Sequence, residues 1–553
     1  MEQLRDTLLE IIRHEFNVPA DFSVEVTPAP ELENTDDFRA DFATNVAMKL
    51  AGLLHKNPHE IAETLTHKLQ LPNVTTAIAG PGFINFMLSD AYFIQNLTEI
   101  SQDFAKNISC SAYADQVVVT EFSDPNPFKV LHIGHLYTSI MGESISRLIE
   151  YAGGTVHRVN FGGDVGLHVA KTLFSLEQKN LQDFTIEDIA NCYVEGTRAY
   201  EEDDSAKLAI TKLNKEIYQI SQQNLHSSKL AQDYWRGREL SYQYFDDFYA
   251  RLGVHFEKYY PESSVASKGL EIVTSHPEVY TKSDGALVFH GENYGLHTRV
   301  FVNREGLPTY ESKDVGLLFA KDTDYHFDQS IVITGNDIID YMKVVLKSVE
   351  QYAPELVRKT LHITHGNVRL PGNQKMSSRK GNFIKAVDIL NEVESKTNHK
   401  LIADAAIKYS LLKYKIGDNI EFNIDDSISL TGNSGPYLQY SAVRAKKILA
   451  NLTNPTSPAP RTTDTNFLTT AERNLIKKFL TYRETLAQAV TNLSPHLIAN
   501  YLFDLAQTFS RFYETCRVKG DPHEAERSIE VALFVKIISH GLDLLGVSIP
   551  EEM

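Results

Sequence analysis

Residues 117–161 read VVVTEFSDPNPFKVLHIGHLYTSIMGESISRLIEYAGGTVHRVNF. VVVTEF is rich in β-branched residues and predicts a strand, which Pro125 and Pro127 end. Ile133, Leu136, Tyr137, Ile140, Met141, Ile145, Leu148 and Ile149 then recur with the period of one helix face. Gly153 and Gly154 stop that helix, and TVHRVNF begins a second strand. Strand, crossover helix and strand make a βαβ unit, which implies a parallel sheet with ligands beyond the C-terminal ends of its strands.

The head of this helix predicts an anion site. Outward-facing backbone N–H groups and the helix dipole both favour negative charge there. His132 and His135, one turn apart, can face one ligand and donate to phosphate oxygens that gain charge during a reaction. Gly134 between them leaves room for a base or ribose. Two histidines at this spacing alone would more often serve a metal or a structural role.

At 553 residues, the chain is long enough for about three or four domains. With 42% hydrophobic and 23% charged residues it reads as globular rather than disordered. No apolar run approaches the ~20 residues of a membrane span, and the mixed-charge start MEQLRDTLLEIIRHEF excludes a secretory signal. The cytoplasm is the expected compartment. Cys110, Cys192 and Cys516 lie too far apart to suggest a structural zinc. The formal charge is −18, yet between Leu356 and Val387 there is no Asp or Glu while Arg358, Lys359, Arg369, Lys375, Arg379, Lys380 and Lys385 accumulate. A solvated face could carry such a run; an uncompensated one in an acidic chain points to an anion site.

The pattern predicts a multidomain α/β protein. Residues 1–110 form an N-terminal α/β domain, with helices over 2–15, 42–55 and 58–69 before the short apolar run FINFML. Residues 115–390 form a Rossmann-like parallel-sheet domain with a polar helical insertion at about 175–260, after which ALVFH, TRVFVN, SIVITG and LHITH resume the sheet. Residues 391–553 form a C-terminal helical bundle, broken once by NLTNPTSPAPRTTDTNF. Thr469 and Glu472 can form a capping box. Ser494 and Pro495 open a helix whose stripe from Leu497 to Tyr513 reads as bundle core.

Downstream stands Lys375-Met376-Ser377-Ser378-Arg379-Lys380-Gly381-Asn382. Its cations and hydroxyls suit a triphosphate, with Lys375 neutralising charge on departing pyrophosphate. With His132-Ile133-Gly134-His135 at the head of a βαβ helix, it resembles the paired signatures of class I aminoacyl-tRNA synthetases. The usual KMSKS has a second lysine where Ser378 stands. EFSDPNPFKVLHIGH, NFGGDVG, YESKDVG and GNSGPYLQYSAVR further resemble segments of the arginyl-tRNA synthetase family. DFATNVAMKLAGLLHKNPHEIAETL, GPGFINF and YLFDLAQTFSRFYETCRV resemble its terminal domains.

The resemblance implies an arginine–tRNA ligase that uses ATP with Mg²⁺, binds L-arginine and tRNA(Arg), and works as a monomer. By motif matching, His132, Gly134, His135, Lys375, Met376, Ser377, Ser378 and Arg379 contact ATP. Lys129, three residues before the first histidine, is a candidate for the charge the loop lacks. Glu121 and Asn126 hold the α-amino end of arginine. Tyr310 and Asp314, four apart, recognise the guanidinium, with a third contact from Asn336 or Asp337. Asp164 either contacts a ligand or stabilises its own turn. Phe83 and Asn85 face the tRNA elbow, and Tyr437, Gln439, Tyr440 and Arg444 face the anticodon. The rival readings are a nucleotidylyltransferase and a non-catalytic RNA-binding paralogue.

Overall fold

The computed structural model describes residues 2–29, 40–181, 183–372, 385–452 and 468–553. At the N-terminus a four-stranded antiparallel sheet has the order β1 (Thr27–Pro28), β2 (Phe42–Thr44), β4 (Phe83–Leu88), β3 (Val74–Ala79). Helices α2 (Val46–Leu54) and α3 (Pro58–Lys68) pack on it, with α1 (Glu2–Glu15) against α3. The helix expected from residue 42 begins only at Val46. Phe42 and Thr44 are buried on one face of β2, opposite Phe86 and Ile84, so strand pairing overrides the helical pattern. Phe83 and Asn85 alternate outward while Ile84, Phe86 and Leu88 are buried. Helices α4 (Asp90–Gln102) and α5 (Phe104–Asn107) lead to the central unit.

There β5 (Val117–Glu121), α6 (Ile133–Tyr151) and β6 (Thr155–Gly162) form the expected βαβ unit, its strands paired in parallel from Val117↔Thr155 to Glu121↔Val159. Helices α7 (Leu167–Gln178), α8 (Ile186–Glu202), α9 (Asp204–Gln222) and α10 (Lys229–Leu252) make the insertion. It starts earlier than expected and ends sooner, because β7 (Lys258–Pro261) rejoins the sheet beside β6. After α11 (Glu262–Ser275), the strands β8 (Thr281–Ser283), β9 (Ala286–Phe289) and β10 (Arg299–Val302) form a separate antiparallel sheet. ALVFH and TRVFVN therefore do not resume the parallel sheet; their connections are too short for a parallel crossover. That sheet resumes after α12 (Tyr310–Tyr325) with β11 (Gln329–Gly335), then α13 (Ile339–Glu350), α14 (Pro354–Arg358) and β12 (Thr360–His365).

The strand order β12-β11-β5-β6-β7 puts the topological switch point at β5, and a crevice opens beyond its C-terminal end. Helices α11 and α12 bound it. A Cβ on Gly269 would lie 1.8 Å from the Ser312 carbonyl oxygen, and one on Gly316 2.3 Å from that of Val265. Backbone contact at this crossing fixes the head of α11 against α12.

Short strands β13 (Val368–Arg369) and β14 (Ile420–Glu421) pair in parallel and link the sheet unit to the C-terminal helices. These are α15 (Ala386–Thr397), α16 (Lys400–Leu412), α17 (Ile424–Ser427), α18 (Gly435–Ala450), α19 (Thr470–Thr491), α20 (Pro495–Thr515) and α21 (Glu524–Leu544). Thr469 and Glu472 form the reciprocal capping box. The stripe on α20 is core at Leu502, Leu505, Phe509 and Phe512, whereas Tyr513 is exposed. No described helix is long and apolar enough to cross a membrane.

The two ends of the chain are clasped together. From α19, the Arg473 guanidinium donates to Asp90, to Asp41 Oδ2 at 2.9 Å and to the Leu88 carbonyl at 2.8 Å, and lies over the Phe93 ring. Lys477 adds an ion pair to Asp41 at 3.2 Å. Both aspartates are buried. Removing one partner of such a cluster strands charge in a desolvated interface, which typically costs about 3 kcal/mol. Arg473→Met should therefore lower the urea midpoint by an amount of that order; an unchanged midpoint would show that the clasp adds no stability.

Candidate active site

The connection from β5 to α6 is held against backbone preference. Ser123, Asp124 and Phe128 all have positive φ (73°, 47° and 65°), uncommon for side-chain-bearing residues. Each is tied down. The Ser123 hydroxyl lies 2.8 Å from Tyr249 Oη and accepts from Ser139, Asp124 Oδ1 accepts from the Phe161 N–H, and the Phe128 N–H donates to Ser241. The Phe128 ring is buried against Tyr234. Asn126 Oδ1 accepts from the Gly163 N–H at 2.8 Å, joining this turn to the one after β6.

That connection opens into a cavity of about 960 Å³ at the sheet's switch point. Its nucleotide-like end is the head of α6. His132 is the N-cap, its Nδ1 accepting from the Gly134 N–H at 3.1 Å, and His135 Nδ1 accepts from the His132 N–H at 3.1 Å. An imidazole nitrogen that accepts carries no proton, so each neutral ring bears its hydrogen on Nε2. Burial, reinforced by Lys129, lowers His132 to about 4; burial and then His132 itself hold His135 well below the usual range. Both are uncharged donors at neutral pH. Gly134 also makes room for a neighbouring side chain. A Cβ there would meet His132 Cε1 at 2.8 Å and Nδ1 at 2.9 Å, so the glycine lets that ring fold back over the helix start.

The cavity is also lined by acids. Glu121, Asp124, Glu262, Glu311, Asp314 and Asp337 all line the cavity. Three have fixed cations: Glu121 pairs with buried Lys321, Glu262 with Lys313 at 2.6 Å and Glu311 with Arg299 at 3.2 Å. Asp314 receives the Tyr341 hydroxyl. Burial, only partly offset by that hydrogen bond, and then Glu121 raise Asp314 to about 8; burial and Glu121 raise Asp124 as well. A carboxyl that burial raises in this way ionises more readily once a cationic guest lies beside it.

The fold gathers Glu121, Asn126, His132, Gly134, His135, Tyr310, Asp314 and Asp337 into one cavity, and leaves Asn336 out of its lining. Lys129 stands beside it, its Nζ 5.0 Å from the centre of the Tyr193 ring. Lys375, Met376, Ser377, Ser378 and Arg379 lie outside the described residues. Asp164 is a structural hub, accepting from Ser263 N–H and Oγ and from Arg238. Of the residues expected to contact RNA, Gln439 is a correction: fully buried, its amide donates to the Leu401 and Ser548 carbonyls and is out of reach of a ligand. Tyr437 packs partly buried against Phe503, whereas Tyr440 is exposed and Arg444 stacks on Tyr513 at 3.5 Å. Sequence reasoning missed Ser123, Asp124, Thr138, Glu262 and His365. Asp124 sat inside the quoted stretch, but its direction depends on the two positive-φ residues.

A parallel sheet with an imidazole pair heading the helix after its central strand, flanked by a small α/β unit and a helical bundle, defines a class I aminoacyl-tRNA synthetase. Residues 98–413 match the catalytic domain described as tRNA synthetases class I (R), residues 2–88 the arginyl-tRNA synthetase N-terminal domain and residues 438–553 the DALR anticodon-binding domain. The chain belongs to the arginyl-tRNA synthetase family, and its activity is the ligation of arginine to tRNA. The arginine–tRNA ligases of Fusobacterium nucleatum and Thermobifida fusca are each 28% identical to it, over 96% and 95% of this chain and 95% and 96% of theirs. Its fold is similar to that of Thermus thermophilus arginyl-tRNA synthetase (TM-score 0.80, 22% identity, all of both chains) and of the Plasmodium falciparum enzyme (0.78, 20%, 100% and 99%). A Mycobacterium tuberculosis methionyl-tRNA synthetase in complex with methionyl-adenylate shares it more distantly (0.50, 13%, 79% of this chain and 92% of that one).

Asp314, at about 8 in the empty cavity, is mostly protonated at pH 7. A bound guanidinium favours the carboxylate, so arginine binding should release most of one proton at pH 7 and little at pH 9. Calorimetry in buffers of different ionisation enthalpy would measure this. Asp314→Asn should reduce the release, and equal release from that variant would rule Asp314 out as the source.

Proposed function

We propose that this cavity condenses arginine with ATP and then passes the arginyl group to the 3′-terminal adenosine of tRNA(Arg). The observation that carries this reading is the division of one cavity into an acidic wall and an imidazole pair with free Nε2–H donors. Arginine has a cation at each end, and the nucleotide brings anionic phosphate. Tyr310 and Asp314 would take the guanidinium, with Asp337 at the rim as the third contact. Glu121 Oε1 and Asn126 would take the α-ammonium, because Glu121 Oε2 is already committed to Lys321.

So oriented, an arginine carboxylate oxygen attacks the α-phosphorus and pyrophosphate departs. His132 and His135 donate to oxygens that gain charge in that step, stabilising the transition state more than the ground state. A ribose hydroxyl of the terminal adenosine then attacks the adenylate carbonyl, and AMP leaves. No bond to the enzyme forms, so positioning and charge neutralisation supply the rate. Lys375, Met376, Ser377, Ser378 and Arg379 are proposed to meet the outer phosphates on the strength of their sequence. Among the described residues no three His, Cys, Asp or Glu are grouped to hold a metal, so Mg²⁺ is assigned to the nucleotide as part of the substrate. Lys129 adds its field to the phosphate end, where it opposes protonation of both histidines.

The same proposal divides the chain at 1–110, 115–390 and 391–553. Phe83 and Asn85 offer one RNA-facing surface; Tyr440 and Arg444, with Tyr437 beneath, offer a second. A cytoplasmic monomer is proposed on the strength of the sequence. With ATP and tRNA, the purified protein should charge arginine and no other amino acid, and failure across all of them would favour a non-catalytic paralogue. His132→Ala should slow arginine-dependent pyrophosphate exchange at least about tenfold, or ~1.4 kcal/mol. If Lys129→Ala leaves exchange within about twofold, its phosphate role is wrong.

A further inference from the structure

A third imidazole reaches this cavity and has no role in the assignments above. His365 ends β12 and is 5% exposed. Its Nδ1 lies 2.9 Å from the Gly366 carbonyl oxygen and its Nε2 2.6 Å from Thr138 Oγ1 on the second turn of α6. A carbonyl only accepts, so Nδ1 carries the proton and Nε2 accepts from the Thr138 hydroxyl. The single Thr138 hydrogen is shared between that nitrogen and the carbonyl oxygen of Gly134, 2.9 Å from Oγ1 and belonging to the glycine between His132 and His135. The Tyr137 ring meets the imidazole at 4.6 Å, and β11 backs it in register, with Gly335 opposite His365.

This contact belongs to a pair. His365 stands where the chain leaves β12 for β13, and Lys385 stands further along; both are joined to the head of α6. Lys385 forms a β-bridge with His132, and the Ala386 N–H donates to the Leu131 carbonyl at 2.9 Å. The histidine turn is thus anchored on one side through Thr138 and on the other through its own backbone. Only the first anchor is made by side chains that also line the cavity.

We propose that Thr138 and His365 are positioning residues for the activation step. The hydroxyl–imidazole bond sets the height of the His132–His135 turn relative to β12, so that both Nε2–H donors meet the α-phosphate where charge develops. The inference rests on the reading of this turn as the nucleotide site.

The test is arginine-dependent pyrophosphate exchange with tRNA present. Thr138→Val keeps the side chain's shape and removes the hydroxyl; Thr138→Ser keeps the hydroxyl. Valine should lower kcat/KM for ATP about tenfold with the KM for arginine within about twofold, and serine should restore most of the loss. His365→Phe should resemble Thr138→Val, and the double variant should be no worse than either alone, because both remove one bond. Matching losses for valine and serine, parallel rises in both KM values, or additive effects would each overturn the proposal. His132→Ala is the separate arm: if it spares ATP use, the reading of the turn itself fails, whereas damage there with an unaffected Thr138→Val sinks only the positioning role.

Discussion

Each imidazole at the head of α6 commits one nitrogen to the backbone, and much of the site follows from that commitment. With Nδ1 occupied as an acceptor, Nε2 must hold the hydrogen, and burial keeps the second proton off. Neutral donors of fixed direction therefore face the cavity without requiring a counter-charge when it is empty. Two lysines there would be costly in the same recess, since each would need a partner or lose its proton. The arrangement also dictates Gly134, because only a residue without Cβ tolerates the folded-back ring.

The acidic wall works by the opposite logic. Its carboxyls outnumber their cations, and burial raises two of those without one, Asp314 to about 8 and Asp124 in the same direction. A cationic ligand at Asp314 would displace its proton, so recognition there carries a proton exchange as well as contact. The built-in pairs matter equally: Lys321, Lys313 and Arg299 cap three of the six acids and limit how much positive charge the recess can take.

The βαβ unit was legible because a β-branched run, an apolar face of helical period and a second strand run follow one another, punctuated by Pro125, Pro127, Gly153 and Gly154. The histidine pair was legible because it sits at the head of that helical face. Tyr310 and Asp314 were found through the resemblance of YESKDVG to a family segment, with which their helical spacing agrees, and both reach the cavity. What could not be read depends on long-range placement. ALVFH and TRVFVN have the composition of sheet strands, but only chain geometry says which sheet. Gln439 carries an RNA-binding group, yet its fate was set by carbonyls at Leu401 and Ser548, far away in sequence. Asp124 and His365 lack any local signal, since the direction of the first follows from left-handed backbone and the partner of the second lies on another element.

The Arg473 clasp has a consequence for how long ligands are met. It locks β4, with Phe83 and Asn85 on its outer face, to the helical unit that presents Tyr440 and Arg444. If the proposed RNA-facing roles hold, these two surfaces on one frame make a bivalent receptor whose spacing is set during folding. Once one surface is occupied, the second meets a tethered partner at high effective concentration, with no linker entropy to lose. An RNA of matching span gains from both contacts, and a shorter or differently bent one gains from only one. In that proposal the clasp is a ruler, selecting by overall shape before any single base is read.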